Sequence, residues 1–406
     1  MSSIHVARQP IFEHGHGLFG YELLYRRDSA VGRADGDDLH MSAEVIVSSL
    51  LGIGLHNIAG SGLAFVNFSR AELLNESWRL LDPNAVVIEL LETVERTEET
   101  IAACRRMVNA GFRLALDDYV YDQKSTALLD LASIVKLDVL GYTPSELERV
   151  TRQVVPSGVR LLAERVETAV IRDRCVDLGY QLFQGYLFSK PETLTKTDVN
   201  PGQLAIMRLL NLLQDPMTTD SALEAAFQGD LGLCYKLLRI VNAAAMGGGG
   251  ISSVPHAVRL VGRETLHRWL AVILVASLGT KGDITQELAL TAICRARMCE
   301  LLASRSHGER RHTASAFIVG LLSLLDVLLE VPMDTILSRL ELTSEVRGAL
   351  LQREGPLGTS LRIVEQYEHA NWDGARQLAT ASGVSDDALP DLYIDALQWA
   401  GQHVNP

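Results

Sequence analysis

Val87-Ile88-Glu89 is a short apolar run that stops on a carboxylate. Alone it says little, because loops are polar and strand ends meet loops. The same grammar recurs in Tyr21-Glu22-Leu23-Leu24, Phe65-Val66-Asn67, Ala115-Leu116-Asp117-Asp118, Val135-Lys136-Leu137-Asp138, Leu162-Ala163-Glu164 and Leu182-Phe183-Gln184. Stretches that read as helices lie between these runs; Thr168 to Leu178, for example, has helical spacing. Strands alternating with helices imply a parallel sheet. If that sheet closes into a barrel, the C-terminal strand ends gather on one rim. Polar side chains spread over roughly 160 positions would then meet at one site.

The chemistry of those ends is specific. Glu22, Asn67, Glu89, Asp117 and Asp118 are hard oxygen donors, suited to Mg²⁺ or Mn²⁺ rather than zinc. Two such ions polarise a phosphodiester and make hydroxide from water. Glu164 is placed to take a proton from that water, and Lys136 to stabilise charge on a phosphoryl oxygen. Gln184 is suited to orienting a ligand or a water, and Arg26 to gripping a phosphate with its planar fork.

The rest of the chain bounds this reading. Its 406 residues are enough for two or three domains, and 47% apolar with 21% charged residues is ordinary for a globular protein. The net charge of −13, unbroken by any Lys/Arg run, argues against direct nucleic-acid binding through the phosphate backbone. The N-terminus lacks an export pattern, and the longest apolar run, Trp269 to Leu278, is about half a membrane span and reads as a buried helix. Five cysteines (104, 175, 234, 294, 299) without CxxC spacing fit buried thiols in a reducing, cytoplasmic setting.

From about residue 200 the strand signals fade. Leu204, Met207, Leu210 and Leu213 recur at helical spacing, as do Leu223, Ala226 and Phe227, then Leu233, Leu237, Leu238 and Val241, and finally Phe317, Leu321, Leu324 and Leu328. Polar residues, Pro and Gly cluster between Lys190-Pro191 and Asn200-Pro201-Gly202. We therefore expect a barrel over 1–192, a linker over 193–202 and a helical domain over 203–406.

Two motifs read as decoys. Gly15-His16-Gly17-Leu18-Phe19-Gly20 matches G-x-G-x-x-G, but a strand follows it, so a hairpin turn is expected. Glu95, Glu98 and Glu99 stand where they complement a helix dipole.

At these residues the first half resembles the EAL domain of cyclic di-GMP phosphodiesterases, a modified TIM-type barrel. Gln9-Pro10-Ile11 resembles the family's Q-P-I, and Glu22-Leu23-Leu24 with Arg26 its E-A-L and following arginine. Val66-Asn67-Phe68-Ser69 is similar to V-N-L-S, Glu89-Leu90-Leu91-Glu92 to E-x-T-E and Val135-Lys136-Leu137-Asp138 to I-K-I-D. Glu164-Arg165-Val166-Glu167-Thr168 resembles E-G-V-E-T, with Arg165 replacing Gly, and Gln184 to Pro191 resembles the closing motif. The resemblance implies an α/β N-terminal TIM-like (β/α) barrel that binds cyclic di-GMP with Mg or Mn. In it Glu164 and Lys136 are catalytic, Gln9, Arg26 and Gln184 contact the ligand, and Glu22, Asn67, Glu89, Asp117 and Asp118 hold metal.

The family's D-D-F-G-T-G reads here Asp117-Asp118-Tyr119-Val120-Tyr121-Asp122, without its glycines. That loop supports metal binding and dimer contacts in the family, with Glu167 bracing it. Val and Asp resist backbone conformations that Gly permits. Arg165 adds a bulky cation beside the expected base.

The second half resembles the HDOD domain, an all-α relative of HD hydrolases. Asp230-Leu231-Gly232-Leu233, Lys236-Leu237-Leu238-Arg239 and Asn242 carry that resemblance, with Ile251 to Gly262 and Phe317 to Leu322. No His-Asp dipeptide occurs, and His256, His267, His307 and His312 lack ligand-spaced partners. The helical half is therefore expected to act on a protein partner rather than to catalyse. One reading is a signalling protein whose barrel binds cyclic di-GMP or is degenerate. Its alternative is an active phosphodiesterase giving the linear dinucleotide, and a homodimer is compatible with either. A scaffold that binds no nucleotide ranks last, because convergent phosphate-type residues then lack a reason.

Overall fold

The computed structural model describes residues 4–15, 17–27, 59, 62–117, 126–185, 209–212, 217–219, 222, 262–278, 283–306, 310–329, 331–338, 340 and 342–404. Eight strands form a closed barrel in the order β1-β2-β3-β4-β5-β6-β7-β8. They are β1 Ile4–Glu13, β2 Leu18–Arg27, β3 Leu63–Phe68, β4 Val86–Leu90, β5 Arg113–Leu116, β6 Ile134–Asp138, β7 Arg160–Glu164 and β8 Leu182–Phe183. Strands β2 to β8 pair in parallel. The exception is β1, which is antiparallel to both β2 and β8. The all-parallel sheet expected from the alternating pattern is corrected at this strand. A hairpin joins β1 to β2, and so short a connection can only reverse the chain. The G-x-G-x-x-G stretch is that hairpin: Glu13 N–H donates to the Gly17 carbonyl at 2.7 Å and β2 begins at Leu18.

Described helices lie between the strands from β3 onward: α1 Arg70–Leu74, α2 Glu98–Asn109, α3 Thr126–Leu129, α4 Pro144–Val154 and α5 Ala169–Asp177. Their starts follow from side-chain capping. Ser69 and Thr143 close capping boxes with Glu72 and Glu146, while Thr97 accepts from the Thr100 N–H. Glu98 and Glu99 occupy the first turn of α2, where carboxylates favour the positive end of the helix dipole.

One layer of the barrel interior is made by Ile11, Phe65, Val87, Ala115, Ile134, Leu162 and Leu182, all buried to within 1% exposure. Each strand except β2 contributes one of them. In a strand, residues i and i+2 share a face. The residues two positions on along β3 to β8 are therefore Asn67, Glu89, Asp117, Lys136, Glu164 and Gln184. An apolar plug fixes the height at which the polar ends emerge.

The chain divides into two compact units. The first takes Met1–Glu192 together with Tyr367–Trp372 and Leu389–Ile394; the second takes the remainder. The second unit is helical. It contains α6 Arg263–Leu278, α7 Asp283–Ser306, α8 Arg310–Leu322, α9 Leu325–Leu329, α10 Met333–Leu337 and α11 Ser344–Gln352, followed by most of α12 Gly355–Glu368, α13 Trp372–Ala381 and α14 Leu389–Val404. The Trp269 to Leu278 run lies on α6, with Leu270, Ala271, Leu274 and Val275 buried. Among the described residues, no helix is long and apolar enough to cross a membrane. The Phe317 to Leu328 periodicity is broken by a turn at Ser323-Leu324. Gly320 of α8 faces α7: a Cβ there would come within 2.5 Å of the Arg295 carbonyl. The periodic runs from Leu223 to Val241 and the glycines 247–250 lie outside the described residues.

Candidate functional site

The barrel brings five charged side chains to one point at its C-terminal mouth. Lys136 of β6 is fully buried, and its Nζ lies 3.2 Å from Glu22 Oε2, 3.2 Å from Asp117 Oδ1 and 2.8 Å from Glu164 Oε1. It also donates to Glu89 Oε1. Gln184 Nε2 donates to Glu22 Oε2 at 2.7 Å and to Gln9 Oε1 at 2.9 Å. Backbone pairing fixes these positions. Gln9 lies opposite Glu22 in the hairpin, and Asn67 opposite Glu89 in the parallel ladder. Beyond the ends of the strands, Asp117 N–H bonds the Leu90 carbonyl and Gln184 N–H the Ala163 carbonyl.

Of the expected site residues, Glu22, Glu89, Asp117, Lys136, Glu164, Gln184 and Gln9 thus join one network. Asn67 stands beside Glu89 in register, with its Oδ1 buried and without a hydrogen-bond partner among the described residues. Arg26 lies on β2, and Asp118 lies outside the described residues, as do the HDOD-like segments at 230–242 and 251–261.

Four carboxylates around one ammonium are electrostatically unbalanced. Burial pushes Glu89 well above the usual carboxylate range; Lys136 opposes this, and Glu22, Asp117 and Glu164 add to it. Burial likewise lifts Glu164 to about 7, again against the pull of Lys136. Burial alone would lower the Lys136 pKa, but its four carboxylate neighbours outweigh that and hold it well above the ordinary lysine value. Lys136 therefore stays protonated, whereas Glu89 and Glu164 bind protons more tightly than they would in water.

A divalent cation suits this donor set. Glu22, Asn67, Glu89 and Asp117 supply hard oxygen ligands of the kind Mg²⁺ and Mn²⁺ select. Among the described residues, Asn67 Oδ1, Glu89 Oε2 and Gln184 Oε1 are buried acceptors without hydrogen-bond partners. Such groups cost about 1–3 kcal/mol each when left unsatisfied, and an ion would satisfy them. Among the described residues, no three acidic, His or Cys side chains are spaced to ligate one metal ion as they stand. The ammonium of Lys136 stands between them instead.

Arg165, the cation beside the expected base, has a left-handed backbone at φ 55°, and its side chain engages Asp138 at the end of β6. Its Nε donates to Asp138 Oδ1 at 2.7 Å, and its Nη2 to Oδ2. The role of Asp138 was not foreseen, although its place two residues beyond Lys136 already put both on one face of β6. Left-handed backbone costs a non-glycine residue roughly 1–2 kcal/mol, which explains why the resembling motif has Gly here.

In the helical half, His267 is buried, and burial lowers its pKa to about 4. It is neutral at physiological pH and packs beside Ala271, Ile318 and Leu322. The side chains of His256, His307 and His312 lie outside the described residues.

Fold and site together define a two-part protein: a closed barrel with an acidic, lysine-centred mouth, and a helical half. The family model for the HDOD domain matches residues 203–335. Two relatives match end to end. The cyclic di-GMP phosphodiesterase CdgJ of Vibrio cholerae is 31% identical over 413 residues, covering 100% of this chain and 94% of that protein. YuxH of Bacillus subtilis is 31% identical over 405 residues, covering 98% of each. The chain belongs to the family these two represent. It is also similar, over 46% of its length, to the EAL domain protein of Listeria monocytogenes EGD-e, at 19% identity and TM-score 0.37, covering 88% of that chain. A calcium/cyclic di-GMP complex of Klebsiella pneumoniae BlrP1 matches the same share at 23% identity and TM-score 0.37, covering 55% of that chain.

Proposed function

We propose that this chain is a cyclic di-GMP signalling protein. Its barrel binds the dinucleotide at the mouth and, with a divalent ion, hydrolyses one phosphodiester to give the linear dinucleotide. One observation carries the reading: Glu22, Glu89, Asp117 and Glu164 converge on buried Lys136, beside the unsatisfied acceptors of Asn67 and Glu89. The naming of CdgJ as a phosphodiesterase supports it.

Glu22, Asn67, Glu89 and Asp117, with Asp118 beside them in sequence, would hold Mg²⁺ or Mn²⁺. When bound, such an ion polarises a phosphodiester and acidifies water. Glu164 Oε accepts a proton from the attacking water, and its elevated pKa suits a base working near neutrality. Lys136 holds Glu89 and Glu164 in place and offsets their charge. Gln184 orients Glu22 through its Nε2. Arg26 is the residue for a ligand phosphate. The helical half, over 203–406, acts on a protein partner without chemistry of its own; the barrel spans 1–192 and a linker 193–202. A homodimer is compatible with this arrangement.

A binding-only reading is favoured by a different observation. The ammonium stands where ligands would otherwise close on an ion, and the loop after Asp117 lacks the glycines of the resembling motif. One assay decides between the two. Full-length protein is incubated with cyclic di-GMP, with and without Mg²⁺ or Mn²⁺, and both bound ligand and linear product are measured. Metal-dependent product that Glu22→Ala abolishes is expected. Binding without product would establish the second reading, and neither binding nor product would remove both.

A further inference from the structure

This inference rests on the reading above and concerns what the mouth selects. Strand alternation places Asp138 on the same face of β6 as Lys136, one step nearer the opening. It is the register partner of Glu164 on β7. Arg165 reaches across from β7 and grips Asp138 through Nε and Nη2. The pair thus stands at the C-terminal mouth of the barrel, directly beside the expected base.

Its remaining hydrogen-bonding capacity is defined. A guanidinium has five N–H donors in a fixed plane, and two engage Asp138. The Arg165 side chain is 60% exposed, so its outer donors face solvent. Asp138 Oδ1 accepts from Arg165 and from the Leu140 N–H, whereas Oδ2 accepts only from Arg165 among the described contacts. An unused N–H and an unused carboxylate lone pair therefore lie side by side.

We propose that the Arg165–Asp138 pair is a base-reading subsite for one guanine of the ligand. Guanine presents the acceptor O6 next to the donor N1–H. An outer Arg165 N–H meets O6, and Asp138 Oδ2 accepts from N1–H. Phosphate is the wrong partner: the carboxylate repels it, and the guanidinium is already half neutralised. Adenine carries a donor at C6 and an acceptor at N1, the reverse order. With the phosphodiester fixed at the acidic cluster the base cannot simply turn over, so adenine sets donor against donor. The left-handed backbone at Arg165 is accommodated here where Gly would sit without strain, which is what a side chain kept for recognition requires.

The test is calorimetric titration of full-length protein in Mg²⁺ with cyclic di-GMP and with cyclic di-AMP. A Glu164→Gln background keeps the ligands intact. Adding Arg165→Gly suits the local backbone and removes the fork; Arg165→Lys keeps the charge without the planar geometry. The expected preference for guanine is tenfold or more and falls about tenfold in both variants, the discrimination of one well-placed pair. An unchanged preference in Arg165→Gly would overturn the subsite while leaving the proposed function standing. Binding of neither ligand by the parent protein would instead remove the function, and the subsite with it.

Discussion

At the scale of single residues, the site is a charge problem solved by one lysine. Four acids face Lys136, and burial lifts Glu164 to about 7. A base with that pKa is protonated below neutrality and idle there. Hydrolysis of cyclic di-GMP at saturating metal should therefore rise through about pH 7 and level off above it. Glu164→Gln should lower kcat by about 10²–10⁴, the usual contribution of a positioned base, with ligand affinity retained. A flat pH profile, or a variant with near-parental kcat, would take the proton-transfer role from Glu164. Most of these residues were legible beforehand, because a carboxylate, amide or lysine ending an apolar run is visible in the chain. The Asp138–Arg165 clamp was not. It depends on a left-handed turn at Arg165, and a positive φ on a non-glycine residue has no signature in sequence.

At the scale of elements, seven of the eight strands were readable from their apolar runs, and β1 was not. Ile4–Glu13 carries His5, Arg8, Gln9 and Pro10, and proline within a run argues against a paired strand. Among the described residues the β1–β8 ladder runs only over Phe12 and Glu13, so no described partner on that side asks for the missing N–H of Pro10. Closure at the other end depends on Gly185, which follows Gln184. Its φ is 149°, and a Cβ there would stand 2.2 Å from the Val166 nitrogen and 2.5 Å from its carbonyl oxygen. The Val166 N–H bonds the Gln184 carbonyl across that contact. Gly185→Ala should force the ends of β7 and β8 apart, costing about 1–3 kcal/mol and shifting both Glu164 and Gln184. Urea unfolding together with a kcat measurement checks this. Parental stability with parental activity would mean that the two loop ends yield freely.

At the scale of the whole molecule, the division into a strand-rich and a helical half was visible in where apolar alternation stops. The grouping of Tyr367–Trp372 and Leu389–Ile394 with the barrel unit was not, because it joins residues far apart in the chain. Measurements of barrel stability accordingly need the full chain. Its pH dependence follows from the acids. Glu89 and Glu164 bind protons more tightly folded than unfolded. For Glu164, both states are protonated below about 4.5, and between there and about 7 the folded form holds protons that the unfolded form has lost. Stability then declines as pH rises through that window. A divalent ion removes this penalty by replacing the protons, and protons compete with it at low pH. Mn²⁺ at about 100 times its Kd stabilises by about 2.7 kcal/mol. At pH 8 that should raise Tm by a few degrees, and at pH 5.5 by distinctly less. Glu22→Ala and Asn67→Ala should both flatten the response. A Tm shift equal at the two pH values, or undiminished in both variants, would place the ion somewhere other than the carboxylates around Lys136.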